Sequence, residues 1–414
     1  MTTASAPPAL DVARIRADFP ILTRRVHGEP LTYLDNAATS QRPQAVIEAE
    51  AEFSRTDNAN IHRGVHTLSQ RATEHYDGAR ELVRRFLNAP TAEEVVFTSG
   101  TTAGLNLIAQ SYGGSVLAAG DEILLSEMEH HSNIVPWQLV AAGVGARIRA
   151  IPVNDAGEID PGELERWLTA RTRIVSLTHV SNVLGTVNPI RAVADRVHAA
   201  GAVLVVDGAQ AVPHLKVDVQ ALGCDFYVAS GHKMYGPTGV GFLFGRAHLL
   251  ERMPPWQGGG GMIQSVTIET ASFAPPPRRF EAGTPPIAQV VGLGAAVDYL
   301  GKLDWAAVEA HESHLLAYAA ARLAEVRGLS LLGGPRERVG CLSFLIERIH
   351  PHDVGTVLDL HGVAVRAGHH CAEPLMRRFS IPGTVRASFG IYNTTAEVDR
   401  LVRGLEETRR VFSA

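Results

Sequence analysis

The chain has 414 residues, of which 45% are hydrophobic and 20% are charged, so it is long enough for roughly two or three globular domains and is neither disordered nor fibrous. Its net charge of −5 and the lack of a long Lys or Arg run exclude a broad basic surface for nucleic acid or anionic membranes. No apolar run approaches the ~18 residues of a membrane span, and residues 1–8 lack a leader pattern, so we expect a cytoplasmic protein that acts on small molecules.

Seven short apolar segments alternate with amphipathic segments between residues 94 and 245. They predict strands at 94–98, 122–126, 147–152, 173–178, 203–207, 225–229 and 240–244. This alternation predicts an α/β fold with a mainly parallel sheet that helices cover on both faces. Such sheets bind ligands beyond the carboxyl ends of their strands, where Thr98, Asp207 and Ser230 fall.

The remainder of the chain predicts a second, smaller domain. Residues 253–285 are rich in Gly and Pro, which is typical of functional loops. A helical stretch over 288–326 follows, then strands near 341–346, 363–365 and 385–389, and a capping box at 394–397 that opens a final helix. We predict a large domain over 35–297 and a small α+β domain formed by 1–34 and 298–414, with the N-terminal segment packed on the C-terminal region.

A phosphate site is predicted where the first of these strands turns into a helix. Thr101 and Thr102 lie in this turn, which offers hydroxyls, free backbone N–H groups and the positive end of the helix dipole. Ser230 and His232 follow a later strand and would add to the same site. An ordinary turn with a threonine cap is the alternative.

Lys233 gives the most specific indication of chemistry. It follows Ser230 closely and lies downstream of Asp207, which ends a predicted central strand. A buried carboxylate is costly without a cationic partner, and a pyridinium ring supplies one. A lysine amine together with a carboxylate placed on a ring nitrogen is what pyridoxal 5'-phosphate (PLP) requires, and Gln210 would lie near the phenolic oxygen of that ring. A helix cap is the alternative for Asp207 taken alone.

Two polar motifs follow other strands of the predicted sheet. The segment 129–133 contains His130 and His131, either of which could stack on a flat ring or carry protons, and we favour His130. Asn182 could donate to a substrate carboxylate or to the ring oxygen. The structural alternatives are a solvated histidine pair and a turn asparagine.

Cys371 is the predicted nucleophile among three cysteines, which are too few and too scattered for a disulfide framework. Arg366, His369 and His370 flank it, and positive charge favours the reactive thiolate. An inert buried cysteine and a His/His/Cys metal site are the alternatives, the latter weak because adjacent residues seldom all point at one ion. Cys224 and Cys341 adjoin apolar strands and are predicted core residues.

Arg386 interrupts a β-like run. Its guanidinium fork fits a carboxylate through two parallel hydrogen bonds, which makes it a predicted substrate contact. An outward-facing strand residue is the alternative.

Together these motifs resemble the PLP-dependent cysteine desulfurases, and specifically their Suf-type group (group II). The matching segments are 33–39, 62–66, 129–137, 181–186, 207–210, 230–241, 280–285 and 366–372, which cover nearly the whole chain. The Arg-x-Gly-His-His-Cys form that ends at Cys371 is the most specific of them, because relatives outside this group carry a longer, Ser-rich loop.

The resemblance implies a fold-type-I homodimer with PLP at the subunit interface. It assigns the covalent cofactor linkage to Lys233 and the ring-stacking and acid/base role to His130. It assigns phosphate contacts to Thr102, Ser230 and His232, the substrate carboxylate to Asn182 and Arg386, and a contact with the partner subunit's cofactor phosphate to Thr284. It implies no metal. Arg366 is predicted as a further substrate contact.

The activity expected from this resemblance is conversion of L-cysteine to L-alanine with a persulfide on Cys371. The persulfide would pass to a SufE-like or zinc-bearing SufU-like acceptor in iron–sulfur cluster assembly. A selenocysteine lyase, a kynureninase or an epimerase on the same fold, and a silent scaffold, are the alternatives. The intact set of Lys233, Asp207, His130, Cys371 and Arg386 argues against a silent scaffold.

Overall fold

The computed structural model of the protein describes residues 9–413. Residues 1–8, on which the expectation about a leader falls, and Ala414 lie outside the described residues. The strands in chain order are β1 (Arg25–Val26), β2 (Glu29–Pro30), β3 (Thr32–Tyr33), β4 (Val95–Thr98), β5 (Glu122–Ser126), β6 (Arg147–Ile151), β7 (Thr172–Thr178), β8 (Val203–Asp207), β9 (Phe226–Ser230), β10 (Gly241–Gly245), β11 (Ile263–Val266), β12 (Ala271–Phe273), β13 (Leu329–Leu331), β14 (Cys341–Ile346), β15 (Val363–Ala364), β16 (Arg366–Gly368) and β17 (Thr384–Ser388).

The helices surround these strands and connect them. In chain order they are α1 (Val12–Ala17), α2 (Gln44–Thr56), α3 (Thr67–Phe86), α4 (Thr101–Leu107), α5 (Gly114–Val116), α6 (Val135–Val144), α7 (Leu164–Trp167), α8 (Ile190–Ala199), α9 (Val219–Leu222), α10 (Ala247–Arg252), α11 (Ile287–Gly301), α12 (Trp305–Ala324), α13 (Pro351–Leu360), α14 (Glu373–Arg378) and α15 (Thr395–Ser413). A π-helical segment, Ile108–Gly113, joins α4 to α5.

The largest sheet contains seven strands in the order β4-β10-β9-β8-β7-β5-β6. All its pairings are parallel except those of β10, which runs antiparallel to β4 and β9. These are the seven predicted strands, and each begins and ends within one residue of the prediction. The prediction of a mostly parallel α/β sheet is confirmed.

Helices cover both faces of this sheet, so its central strands are apolar on both sides. Along β8, Leu204 and Val206 pack in one hydrophobic cluster and Val205 packs in the cluster on the opposite face. Burial of each such side chain stabilises the fold by about 1.5–3 kcal/mol. The sheet is therefore a firm support for residues at its carboxyl edge.

A second, antiparallel sheet has the order β13-β14-β17-β16 and packs against α12 and α13, which α15 contacts in turn. The predicted helix over 288–326 is in fact two helices. Asp304 separates them, because its side chain accepts hydrogen bonds from the N–H groups of Ala306 and Ala307 and so starts α12. The predicted strand at 363–365 is the short β15, which pairs with β3 instead of joining the second sheet.

The N-terminal segment contacts the C-terminal region. Arg16 donates to the carbonyl of Tyr392 at 2.6 Å and pairs with Glu397 at 3.0 Å. Glu397 also accepts from the N–H of Thr394 at 2.9 Å, which is half of the predicted capping box. The domain boundaries at 34/35 and 297/298 stay a prediction.

The Gly- and Pro-rich segment forms a hairpin from β11 and β12, with Ile268 fully exposed between them. Within residues 9–413, none of the helices is long and apolar enough to cross a membrane.

Candidate active site

A cavity of about 320 Å³ opens beyond the carboxyl ends of β7, β8 and β9. The start of α4, the segment after β3, the strand β17 and the loop after β16 complete its wall. It is lined by Ala37, Ala38, Thr101, Thr102, His130, Ser132, Thr178, Asn182, Asp207, Ala209, Gln210, Ser230, His232, Lys233, Arg366, His370, Cys371 and Arg386. Every predicted site residue except Thr284 is in this set.

Asp207 and Lys233 form the charged floor of the cavity. Asp207 ends β8 and is 4% exposed, and its Oδ1 accepts from the N–H of Ala209 at 3.0 Å. Burial raises the pKa of Asp207, and the charge of Lys233 opposes that rise. Burial likewise lowers the pKa of Lys233, against the pull of Asp207. A cationic ring nitrogen placed on Asp207 would supply the partner that a buried carboxylate needs.

Hydroxyl groups converge at the start of α4. Thr101 donates its N–H to Ser230 Oγ at 2.8 Å, and its own hydroxyl lies 2.8 Å from the same atom. Gly100 permits this approach, since it has a φ of +138° and a Cβ there would lie 3.1 Å from Ser230 Oγ. Thr102 Oγ1 lies 2.7 Å from the hydroxyl of Ser132. This cluster suits an anion such as phosphate.

His130 is held as a neutral ring. Its Nδ1 accepts from the N–H of Ser132 at 3.0 Å, which leaves the ring proton on Nε2. Burial, then the charge of Lys233, lowers the pKa of His130 to about 3. A neutral imidazole whose basic nitrogen is already occupied is suited to stacking on a ring and is a poor proton carrier.

Gln210 and His232 are tied to the segment that follows β3. Gln210 donates through Nε2 to the carbonyl of Ala37 at 2.7 Å, so its second N–H and its side-chain oxygen are left for a ligand. The carbonyl of His232 accepts from the hydroxyl of Thr39 at 3.0 Å. Burial, with the charge of Lys233, lowers the pKa of the His232 ring to about 4, so it meets a ligand uncharged.

Arg386 is buried in the cavity wall. It donates through Nη1 to the carbonyl of Asn182 at 2.8 Å and through Nη2 to Asp35 at 3.4 Å. Its Nε has no hydrogen-bond partner within residues 9–413. A buried guanidinium with donors to spare is an anion site, and a substrate carboxylate fits it.

Asn182 and Arg366 have protein partners as well. The side-chain amide of Asn182 donates to the carbonyl of His370 at 2.7 Å and thereby holds the loop that carries the thiol. Arg366 pairs with both carboxylate oxygens of Asp35, with Nη2 at 2.9 Å from Oδ2. Asp35 therefore neutralises one of the two arginines at the cavity.

Cys371 presents an exposed thiol on a loop with unusual backbone geometry. His370 and Cys371 both have left-handed φ values, +53° and +55°, which non-glycine residues adopt only where their surroundings impose them. The carbonyl of Cys371 accepts from the N–H of His131 at 2.7 Å, and its N–H donates to Nδ1 of His369 at 3.1 Å. The His370 ring is buried, with Nε2 at 2.9 Å from the hydroxyl of Thr384.

The other two cysteines are buried, which confirms them as core residues, and burial raises the pKa of both thiols. Across residues 9–413, no group of three or more His, Cys, Asp or Glu side chains is arranged to hold a metal ion.

Thr284 does not line this cavity. It is exposed beside a second cavity of about 340 Å³, where His62 and Arg63 also lie, and its hydroxyl is 3.5 Å from Nδ2 of Asn60. Its predicted contact with a partner subunit's cofactor stays a prediction.

Two site residues were not predicted, namely Ser132 and Asp35. Ser132 directly follows the histidine pair, so a hydroxyl one residue beyond that pair was a usable signal. Asp35 follows the very short β3, and no local pattern marks it as the partner of two distant arginines.

The donor set fits PLP: a lysine amine beside an aspartate at a strand end, a neutral ring to stack on, and a hydroxyl cluster for the phosphate. This set at the carboxyl edge of a mostly parallel seven-stranded sheet defines a PLP-dependent enzyme of fold type I.

The chain belongs to the class-V aminotransferase family, whose profile matches residues 32–401. It is 50% identical over 403 residues, 97% of this chain and 99% of the relative, to a probable cysteine desulfurase of Halalkalibacterium halodurans. It is 51% identical to a cysteine desulfurase of Dickeya dadantii, over 97% of each chain.

Solved structures of cysteine desulfurases have the same fold. The cysteine desulfurase CsdA from Escherichia coli matches with a TM-score of 0.91 and 40% identity, covering 98% of this chain and 100% of that one. The apo cysteine desulfurase from Thermococcus onnurineus NA1 matches with a TM-score of 0.90 and 38% identity, covering 98% and 99%. These matches confirm the predicted PLP fold and the likeness to cysteine desulfurases.

Proposed function

We propose that this protein is a cysteine desulfurase that converts L-cysteine to L-alanine and keeps the sulfur as a persulfide on Cys371. The observation that carries the proposal is that the Lys233 amine and the Cys371 thiol line one cavity. The Lys233 amine would act at the substrate α-carbon, and the Cys371 thiol would act at the substrate sulfur. The similarity to cysteine desulfurases of other organisms supports the same reaction.

Arg386 and Asn182 would hold the substrate carboxylate. Arg386 lines the cavity, and its guanidinium would offer a charge-assisted hydrogen bond to that carboxylate. Asp35 contacts Arg366 at 2.9 Å and Arg386 at 3.4 Å, so one carboxylate faces two guanidinium groups and one positive charge is left for the substrate carboxylate. The carboxylate fixed there orients the α-carbon toward Lys233.

Lys233 would carry the cofactor covalently and then move the α-proton at its Nζ. A base must shed its own proton first, and burial of Lys233 lowers its pKa and so makes the free amine more accessible. His130 stays neutral and stacks on the ring, so proton transfer rests on Lys233. PLP supplies the electron sink for this chemistry when bound.

Cys371 would remove the sulfur. Its sulfur forms an S–S bond with the substrate sulfur while the substrate C–S bond breaks, and the electron pair of that bond stays with the carbon. Protonation of this carbon gives L-alanine. The short loop around Cys371 fixes the direction of attack through His131 and Asn182, and such orientation can be worth up to about 7–11 kcal/mol.

We infer further that the protein is of the Suf type, because Arg366 to Cys371 has the short Arg-x-Gly-His-His-Cys form. The exposed thiol can meet a second protein, so the persulfide would pass to a SufE-like or SufU-like acceptor in cytoplasmic iron–sulfur cluster assembly. A homodimer would bring Thr284 to the partner's cofactor phosphate.

Product analysis tests this proposal. The PLP-loaded protein is incubated with L-cysteine and, in parallel, with L-selenocysteine and L-kynurenine, and amino-acid products and released sulfur are quantified. We expect one alanine for each sulfur released from cysteine. Turnover of kynurenine alone, or racemised cysteine with no alanine, would refute the proposal.

A further inference from the structure

Tyr235 has a backbone geometry that its own side chain does not favour. It lies just beyond Lys233, is 1% exposed and has a left-handed φ of +66°. A bulky residue keeps such a φ only where the surrounding structure imposes it, and such residues cluster at functional sites. Contacts with the surrounding structure must therefore impose this backbone conformation on Tyr235.

Two distant segments hold Tyr235. Its backbone N–H donates to the hydroxyl of Ser40 at 2.7 Å, and its phenolic oxygen accepts from the N–H of Ile391 at 3.1 Å. Ser40 also donates its own N–H to the carbonyl of His232 at 2.9 Å. The residues before and after Lys233 are thus fixed to the same anchor.

The hydrogen bond to Ile391 connects the turn that contains Lys233 and Tyr235, here called the lysine turn, to the strand of Arg386, the proposed substrate contact. Ile391 follows β17, the strand that contains Arg386. Gly390 allows the phenol to approach, because a Cβ at this position would lie 3.3 Å from the phenolic oxygen. The strand before the lysine turn, β9, and the strand of Arg386, β17, belong to different sheets. The phenol of Tyr235 connects these two parts of the fold.

We propose that Tyr235 is a positioning residue whose hydroxyl holds the Lys233 turn in place relative to Arg386. The inference rests on the proposed role of Lys233 and extends it to a residue outside the cavity wall. The aromatic ring alone would not do this, because its edge-to-face contacts with Phe19 and Tyr392 serve the core.

Tyr235→Phe removes only the hydroxyl and keeps the ring contacts. Tyr392→Phe is the matched control, since its phenol lies in the same buried cluster and contacts Asn36 and the N–H of Gln41 instead of the lysine turn. Three quantities are measured for each: the free energy of unfolding, the rate at which added PLP becomes covalently linked to the apoprotein, and kcat and KM for L-cysteine.

We expect both variants to lose similar stability. Tyr235→Phe alone should link PLP about tenfold more slowly and lower kcat about tenfold, with KM within about twofold of the wild type, because a small misplacement of a reacting group is costly. Wild-type linkage and kcat in Tyr235→Phe, or equal slowing in Tyr392→Phe, would overturn the proposal.

Gly390→Ala keeps the test decisive if Tyr235→Phe does not fold, because its Cβ would lie 3.3 Å from the same phenolic oxygen. That Cβ would also lie 3.1 Å from Oδ1 of Asn36, so Tyr392→Phe, which loses a hydroxyl that contacts Asn36, serves as its control. Slow PLP linkage in Gly390→Ala with a wild-type rate in Tyr392→Phe supports the proposal, and a wild-type rate in Gly390→Ala contradicts it. The linkage rate is independent of the substrate, so it still reports on Tyr235 if the wild type makes no alanine from cysteine.

Discussion

The lysine turn and the thiol loop (residues 369–373) contribute Lys233 and Cys371 to one cavity, but they differ in burial and in the contacts that hold them. Lys233 follows β9, whose five residues are all buried, and its turn is bonded on both sides. Cys371 is exposed and lies on a left-handed loop that polar contacts hold. The difference matches the two proposed tasks, because a cofactor must stay in place whereas the proposed persulfide would be handed to another protein.

The interactions that stabilise the lysine turn are also stronger than those that stabilise the thiol loop. Burial of a large apolar side chain of β9, such as Phe226 or Val228, contributes about 1.5–3 kcal/mol, whereas a hydrogen bond at the thiol loop contributes a net ~0.5–1.5 kcal/mol. Regions with few buried apolar contacts open at lower free energy than the rest of a fold. The thiol loop should therefore open without disturbing the cofactor site.

The largest expected effect is that of Lys233→Ala. It should abolish covalent PLP linkage and lower alanine formation by about 10²–10⁴-fold, because both the attachment and the proton carrier are lost. Borohydride reduction followed by absorbance of the protein checks the linkage. Lys302→Ala, at an exposed lysine, should behave as the wild type, and a PLP linkage that survives Lys233→Ala would contradict the assignment.

Cys371→Ala should remove the function of the thiol loop and leave the PLP site of the lysine turn intact. The variant should bind PLP with an unchanged absorbance spectrum and lose sulfur release from cysteine by at least about 10²-fold, because a covalent intermediate can no longer form. Sulfide and alanine assays check this. Cys224→Ala should keep sulfur release while losing some stability, since that thiol is buried, and wild-type sulfur release in Cys371→Ala would remove Cys371 from the mechanism.

Acidification should destabilise the fold, because burial keeps histidines uncharged both at the edge of the large sheet and in the thiol loop. The pKa of His179, beyond β7, is lowered to about 4, and that of His370, in the thiol loop, to about 3. Below pH ~6.5 the unfolded chain takes up protons that the folded protein does not, so stability is full above this pH and falls as pH drops toward the folded pKa. At pH ~5 each histidine should cost about 2 kcal/mol.

Urea unfolding at about pH 7.5 and about pH 5 measures this loss. His179→Gln and His370→Gln should each reduce the pH-dependent loss by about 2 kcal/mol. A loss of equal size in the wild type and both variants would show that neither histidine is responsible.

Hydrogen exchange should show the smallest difference, a local one. Amides of residues 369–373 should exchange at least about tenfold faster than those of β8, because the loop opens below the free energy of global unfolding. Asn182→Ala should speed the loop further by removing the hydrogen bond to His370. Equal protection of the loop and β8 from exchange would show that the thiol loop does not open more readily than the sheet.

The sheet was predictable because strands buried on both faces leave continuous apolar runs, as in β5 and β8, whose bounds match the prediction. Residues at the carboxyl ends of these strands, such as Asp207 and Ser230, follow from the same rule. The resemblance to a family added Thr284.

Contacts between distant segments were not predictable. No local pattern reveals that Asp35 pairs with two arginines, that Asn182 holds the thiol loop, or that Tyr235 meets Ile391. The single helix predicted over 288–326 failed for a local reason, because Asp304 was not recognised as a cap. Thr284 lies away from the cavity of its own chain, and its predicted role would need a second subunit.

Mass spectrometry of the PLP-loaded protein after exposure to L-cysteine tests the central claim most directly. The account predicts one added sulfur, removable by a thiol reductant and located by peptide mapping on Cys371. Alanine formation with no added sulfur, or sulfur located on Cys224 or Cys341, would contradict it.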